Sequence, residues 1–238
     1  MVRNTKVSSV GLKGVGALNI ICRKILLRVF FAGFLVLGVA GHGVALGTDT
    51  AYWNELVFKH KLNKKLTLHF KTEQWFLGDV SRLGLYNFTP GVKYSWSKYV
   101  DIELNYRYQR LKLLDELTAE HRLEIIPYLK GEWAGFRFEL RNRLELRNID
   151  GDNSLRLRER IQITRNFKYE NWDFDYYISN EFFYDSNPND INQNRAKVGV
   201  TKQISPNISA GLYYMYWTIE GESFFKANVI GSIFQFLF

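Results

Sequence analysis

Phe136-Arg-Phe138-Glu-Leu140-Arg-Asn-Arg143-Leu144-Glu-Leu146-Arg147 is the most legible stretch of the chain. It sets Phe136, Phe138, Leu140, Leu144 and Leu146 against Arg137, Glu139, Arg141, Arg143, Glu145 and Arg147. Successive side chains of a strand point to opposite faces, so the segment reads as a β-strand with one apolar face and one charged face. It exceeds the roughly 5 to 6 residues usual in soluble sheets and is long enough for a tilted strand to cross a bilayer.

The same period continues on both sides. Leu155, Leu157, Ile161 and Ile163 alternate with Arg156, Arg158, Arg160, Gln162, Thr164 and Asn166. Upstream, Tyr86, Phe88, Val92, Tyr94 and Trp96 oppose Asn87, Thr89, Lys93 and Ser95, and Val100, Ile102, Leu104, Tyr106 and Tyr108 oppose Asp101, Glu103, Asn105, Arg107 and Gln109. Less regular runs at about 52–62, 66–76, 119–130, 172–184, 193–204, 208–218 and 226–238 bring the total to about eleven strands. Single-chain bacterial barrels carry even numbers, so the expectation is an all-β, antiparallel transmembrane β-barrel of about 10 to 12 strands. Either a further strand precedes the first run, or Ala51–Leu62 lies outside the wall. Connections read as tight near Asn63, Lys98, Gly131, Asn171 and Pro206. They read as longer and polar at Gly78–Arg82, Leu114–Glu116, Asn148–Asn153, Asp185–Asn192 and Glu220–Ser223, the rim asymmetry of outer-membrane barrels.

A secreted β-sandwich would also alternate. Two features favour the barrel. Aromatic residues crowd strand ends, at Trp75, Tyr94, Trp96, Tyr99, Trp133, Trp172, Tyr184, Tyr214, Tyr216 and Trp217, where amphipathic rings suit the headgroup layer. The chain also ends on an aromatic strand in which Ile230, Phe234, Phe236 and Phe238 share a face. Unpaired on a soluble protein, such a strand would be an aggregation hazard. On a barrel, Phe234, Phe236 and Phe238 resemble the signal read by the barrel assembly machinery.

A formal net charge of +8 and a pI near 9.4 invite a nucleic-acid reading. Arg3, Lys6, Lys13, Arg23, Lys24 and Arg28 all precede the first acid, Asp49; without those six, 26 Lys and Arg face 24 Asp and Glu. The remainder offers no electrostatic footprint for a polyanion, so no nucleic acid is expected as a partner. Those cations, followed by the apolar run Val29–Ala40 and small residues around Gly41, Gly43, Ala45 and Gly47, read as an N-terminal secretory signal helix. Cleavage is expected between Ala40 and Thr48, leaving 1–47 as signal peptide and 48–238 as the barrel. A single-pass anchor is the alternative, but the purely apolar part falls short of the ~20 residues a spanning helix needs. Cys22, the lone cysteine, would leave with the signal, and with it any thiol chemistry. The expected location is the outer membrane of a Gram-negative bacterium, in contact with its lipid.

The ordered series Arg141-Asn-Arg143-Leu-Glu145-Leu-Arg147, Arg156-Leu-Arg158, Asn180-Glu181-Phe182-Phe183 and Gln193-Asn194-Arg195 resembles a family of outer-membrane barrels catalogued as a domain of unknown function (DUF two-four-nine-zero). The resemblance spans about Ala51 to Phe238 and implies a barrel of ten to twelve strands. It implies no activity.

Arg141, Arg143, Glu145, Arg147, Arg156, Arg158, Glu181 and Arg195 fall on the polar face and are expected to point into the lumen as one charge network. A narrow barrel fills its interior with side chains, and opposite charges on neighbouring strands can pair there. The alternative is a ring of arginines that attracts anions. Asp101, Glu103, Glu124, Glu139, Asp173 and Asp175 share the face and offset the arginines, which favours the filled interior.

Catalytic and metal-binding patterns are weak. His60, His69 and His121 follow the signal; His69 sits on the polar face beside Lys71 and Glu73, and His121 next to Glu120 near a loop. There is no Gly-x-Ser-x-Gly elbow and no dense pairing of acids with histidines. Asn148-Ile-Asp150-Gly-Asp152-Asn153 has oxygen ligands at alternate positions, with Glu159 at the twelfth place of a calcium loop, but Asn153 stands where that loop needs Gly. No catalytic residue, metal or cofactor is expected. The role reads as structural or receptor-like, with a small-solute channel as the alternative and a membrane-embedded hydrolase behind it.

Overall fold

The computed structural model describes residues 48–113, 116–170, 172–186, 190–219 and 225–238. The expected signal peptide, 1–47, lies outside them. Among the described residues there are eleven strands and no helix: β1 Thr48–Lys61, β2 Leu66–Leu77, β3 Arg82–Ser95, β4 Val100–Leu113, β5 Glu116–Trp133, β6 Phe136–Ile149, β7 Asp152–Tyr169, β8 Trp172–Asp185, β9 Asp190–Ser205, β10 Ile208–Ile219 and β11 Phe225–Leu237. Each strand pairs with its sequence neighbours, and β1 pairs with β11 to close the barrel.

Successive hairpin strands alternate in direction, so a closed ring with an odd number of them must contain one parallel pair. That pair is β1 with β11, in register from Thr48 opposite Lys226 to Lys59 opposite Leu237. The other ten junctions are antiparallel. The expectation of an even count with antiparallel pairing throughout is therefore corrected. β1 is a full member of the wall, and among the described residues the ring closes without a twelfth strand.

Two tight turns use the left-handed backbone that a two-residue hairpin demands. Ala134 and Gly135 have φ of 52° and 77°, and Asp150 and Gly151 have 49° and 102°. The first corrects the turn expected at Gly131, which instead lies inside β5. The second corrects the polar loop expected at Asn148–Asn153, because Asn148 and Asn153 face each other across the ladder and their side chains hydrogen-bond at 2.9 Å. Strand bounds leave two to four residues between strands on the rim where β11 ends and two to five on the far rim, so the length asymmetry is slight.

The barrel is inverted relative to a soluble protein. Its outer face exposes Leu104, Leu123, Leu146, Ile161, Ile178 and Leu212, while the interior buries Glu124, Glu145, Arg143 and Arg158. Trp96, Tyr99, Trp133, Tyr169 and Trp172 stand exposed around the rim where β11 ends, Trp133 at 75%. Trp75 and Trp217 do not join them. Both are buried inside the lumen, because Trp75 shares strand parity with Glu73 and Trp217 shares it with Tyr213 and Met215, opposite Arg195 in the ladder.

Candidate functional site in the barrel lumen

Odd-numbered residues of β4, β6 and β8 and even-numbered residues of β5 and β7 point inward, and these are the charged halves of the alternation. Their side chains form a connected chain of ion pairs. Arg107 bridges Glu73 at 3.4 Å and Glu124 at 3.2 Å; Arg143 bridges Glu124 at 3.3 Å and Glu145 at 3.4 Å. Arg158 then links Glu145 and Glu181, at 2.9 Å each, and Arg141 also binds Glu181. Arg122 ties Glu145 at 3.2 Å to Glu120 at 2.8 Å, and Arg147 joins Glu120 at 2.6 Å to Asp185 at 3.2 Å, where Arg156 docks at 2.7 Å.

Glu124 and Glu145 sit at the hubs, both 0% exposed. Each accepts from several arginines because a guanidinium presents five donors in a planar fork and can serve two carboxylates at once. Alternating parity marks every member of this wall, including Arg107, Arg122, Glu120, Glu73 and Asp185, which were not among the residues singled out from sequence. A smaller cluster lies beside it: Lys71 on Glu103 at 2.5 Å, and Lys93 and Lys130 on Asp101 at 2.8 and 2.7 Å. His69 belongs here. Its Nε2 lies 2.8 Å from Asn105 Oδ1, and Gly91 makes room, since a Cβ there would sit 2.4 Å from that nitrogen.

The remaining wall is different in kind. On β10, β11 and the far-rim halves of β1, β2 and β3 the inward positions include Trp53, Trp75, Leu77, Leu85, Tyr213, Met215, Trp217 and Val229, all buried in one cluster, while nearer the other rim β2 and β3 turn His69, Lys71, Asn87, Thr89 and Lys93 inward. The Trp53 and Trp75 rings stack at 3.7 Å with 3° between planes, and Trp217 meets both edge-on at 5.4 and 5.7 Å. Arg195, expected in the charge network, is placed here instead. It lies opposite Glu181 in the β8–β9 ladder, but Glu181 is held by Arg141 and Arg158. The Arg195 guanidinium centre lies 4.6 to 5.5 Å from the rings of Phe183, Trp53, Trp217 and Trp75. Cation–π attraction replaces the ion pair.

Between the two walls is a cavity of about 1270 Å³, lined by Arg195, Lys197, Trp53 and Trp75 near its middle and by residues near both rims, including Tyr99 and Leu77. His121 faces outward, with Nδ1 2.6 Å from the Tyr106 hydroxyl, away from this cavity. Among the described residues no group of acids and histidines is arranged to hold a metal ion.

A family model described as "Protein of unknown function (DUF2490)" matches residues 50–227. No curated protein matches the chain. Among solved structures, the siderophore receptor PirA from Pseudomonas aeruginosa is similar at 11% identity and a TM-score of 0.27, over 71% of this chain and 36% of the receptor. The chain spans little more than a third of that receptor's length, and so slight a likeness carries no argument.

Proposed function

Because the chain belongs to the DUF2490 family, whose description assigns no activity, we propose its role from the barrel itself: an outer-membrane β-barrel of structural or receptor-like kind whose lumen is too obstructed for free diffusion. The observation that carries the membrane reading is the inversion of the wall, with exposed aliphatic side chains outside and 0%-exposed Glu124 and Glu145 inside. In water that exterior would drive aggregation; in hydrocarbon it is the stable arrangement, with the exposed Trp and Tyr ring at the headgroup level. The signal peptide supplies export, and the shorter-turn rim, where β11 ends, faces the periplasm.

The C-terminal strand supports a role for Phe234, Phe236 and Phe238 in engaging the assembly machinery. Phe58 of β1 stacks on Phe236 at 5.2 Å and approaches Phe238 at 6.5 Å, and the Phe238 N–H donates to the Lys59 carbonyl at 2.8 Å. The final residue is thus fastened to the first strand across the seam. Deleting Phe238 lowers the amount of inserted barrel; undiminished insertion overturns this assignment.

Cell fractionation with mass spectrometry of the mature N-terminus tests the membrane reading, which an uncleaved leader in the inner membrane would sink. The second reading, a small-solute channel, is favoured by the cavity and its approach to both rims. Planar bilayers separate the two: the receptor-like barrel conducts poorly, whereas large steady currents from the wild type promote the channel. The same proposal makes the protein a non-enzyme. Hydrolysis of lipid or peptide that disappears in His69→Ala or His121→Ala would overturn that.

A further inference from the structure

Nine arginines on β4–β7 point into the lumen, and each makes an ion pair: Arg107, Arg122, Arg137, Arg141, Arg143, Arg147, Arg156, Arg158 and Arg160. Arg195 makes none among the described residues, although it faces the same cavity. The carboxylates on either side of it are committed, Glu181 to Arg141 and Arg158, and Glu73 to Arg107 and the Asn87 amide. Four aromatic rings surround the guanidinium and satisfy its charge in part, but rings accept none of its five in-plane donors well. Its Nε is buried without an acceptor, as are the indole N–H groups of Trp53 and Trp75. Two residues along the same face of β9, the Lys197 ammonium rests 4.0 Å from the Tyr213 ring and also has no ion pair among the described residues. Unmet donors and two cations without an ion pair among the described residues converge on one place.

What surrounds that place is graded. Toward the far rim the cavity is lined by Leu77, Leu85, Leu111 and Ile219, an apolar approach that ends at the Arg195 layer. Toward the opposite rim lie Ser179, Thr201 and Gln235, together with two lining carboxylates that make no ion pair among the described residues, Glu55 and, at the rim itself, Glu132. Glu55 repels an anion, so the acidic end of a ligand belongs at Arg195. The cavity, about 1270 Å³, exceeds the roughly 300–1,000 Å³ typical of small-molecule pockets.

We infer that Arg195, assisted by Lys197, is the anion-binding centre of a lumenal ligand site that takes an organic acid with an apolar body, the carboxylate on Arg195 and the body along Leu77, Leu85 and Ile219. This rests on the receptor-like reading of the barrel and supplies its ligand class. A polyoxygen anion meets the guanidinium edge while the rings keep its faces, the division of labour that suits arginine and not lysine.

The probe is 4-bromobenzoate, whose bromine quenches indoles on contact, titrated against purified full-length protein while tryptophan emission is followed. Wild type shows saturable quenching by 4-bromobenzoate, competed by benzoate, with 4-bromobenzyl alcohol producing only a weak linear loss. Arg195→Gln binds about tenfold or more weakly, the loss expected for a charged hydrogen-bond partner, while Arg137→Ala at the rim binds as wild type. Equal saturable quenching by the neutral alcohol, or unchanged affinity in folded Arg195→Gln, overturns the proposal. Inorganic phosphate competing as well as benzoate overturns the apolar half of it. The wild-type comparison of acid with alcohol reads the site even where Arg195→Gln fails to fold. Insertion and conductance are separate readouts, so failure of the receptor-like reading is told apart from failure of the site.

Discussion

From β4 to β8 the lumen wall is made largely of charges paired with one another, whereas on β9 to β11 and the far-rim ends of β1 to β3 it is made largely of aromatic and aliphatic side chains around a cation with no ion pair among the described residues. Both walls fill space, but they differ in what is left over. The charged wall is largely closed upon itself: Glu120, Glu124, Glu145, Glu181 and Asp185 each serve two or three arginines, so little capacity remains for anything from outside. The aromatic wall instead leaves two cations facing the cavity, Arg195 and Lys197, without an ion pair among the described residues. Occlusion and recognition are thus assigned to opposite sides of one barrel, and substitutions on the two sides should fail in different ways.

The largest effect is expected at Glu145→Gln. The replacement keeps the volume and removes the charge shared by Arg122, Arg143 and Arg158, at 3.2, 3.4 and 2.9 Å. Removing one partner from a buried pair costs about 3 to 5 kcal/mol, and lumen water moves this toward the lower figure. The midpoint of heat-modifiable gel mobility reads the loss; a variant that melts with the wild type breaks the picture of an interlocked wall. On the aromatic side, Gly231→Ala places a Cβ 2.0 Å from the Tyr213 Cζ, so the ring must leave its position. Overpacking of this kind costs about 1 to 3 kcal/mol, and Tyr213→Leu in the same chain should restore much of it. The smallest effect is expected at Arg137→Ala, whose pair with Asp175 at 2.5 Å is 49% and 33% exposed at the rim. Such pairs contribute about 0 to 1 kcal/mol, so a loss comparable to that of Glu145→Gln would erase the distinction between rim and hub.

How far these walls can be read from sequence depends on the kind of information each needs. The inward charges of β3 to β7 follow from alternation alone, and strand existence was legible wherever the period held for ten residues or so. Trp75 and Trp217 were within reach of the same rule, since Trp75 continues the parity of His69, Lys71 and Glu73; the preference of tryptophan for membrane interfaces pointed the other way, and parity decides because it is covalent geometry. The partner of Arg195 was not legible. Its ladder neighbour is Glu181, but that carboxylate is won by arginines on β6 and β7, a competition fixed only in three dimensions. The parallel closure left no mark either. Alternation is the same in both strand directions, so only the arithmetic of the closed ring reveals it.

The seam between β1 and β11 also determines where the two ends of the wall emerge. In a ring of hairpins with an even count, the first and last strands leave from the same rim and can be joined by a short linker. Here β1 begins on the far rim and β11 ends on the opposite one, with twelve paired positions between. At about 3.3 Å per residue that is a path of roughly 40 Å along the strands. A circular permutant that joins Phe238 to Thr48 would need a dozen or so extended residues to run from one rim to the other, and reporters fused at the two ends would sit at opposite rims of the barrel.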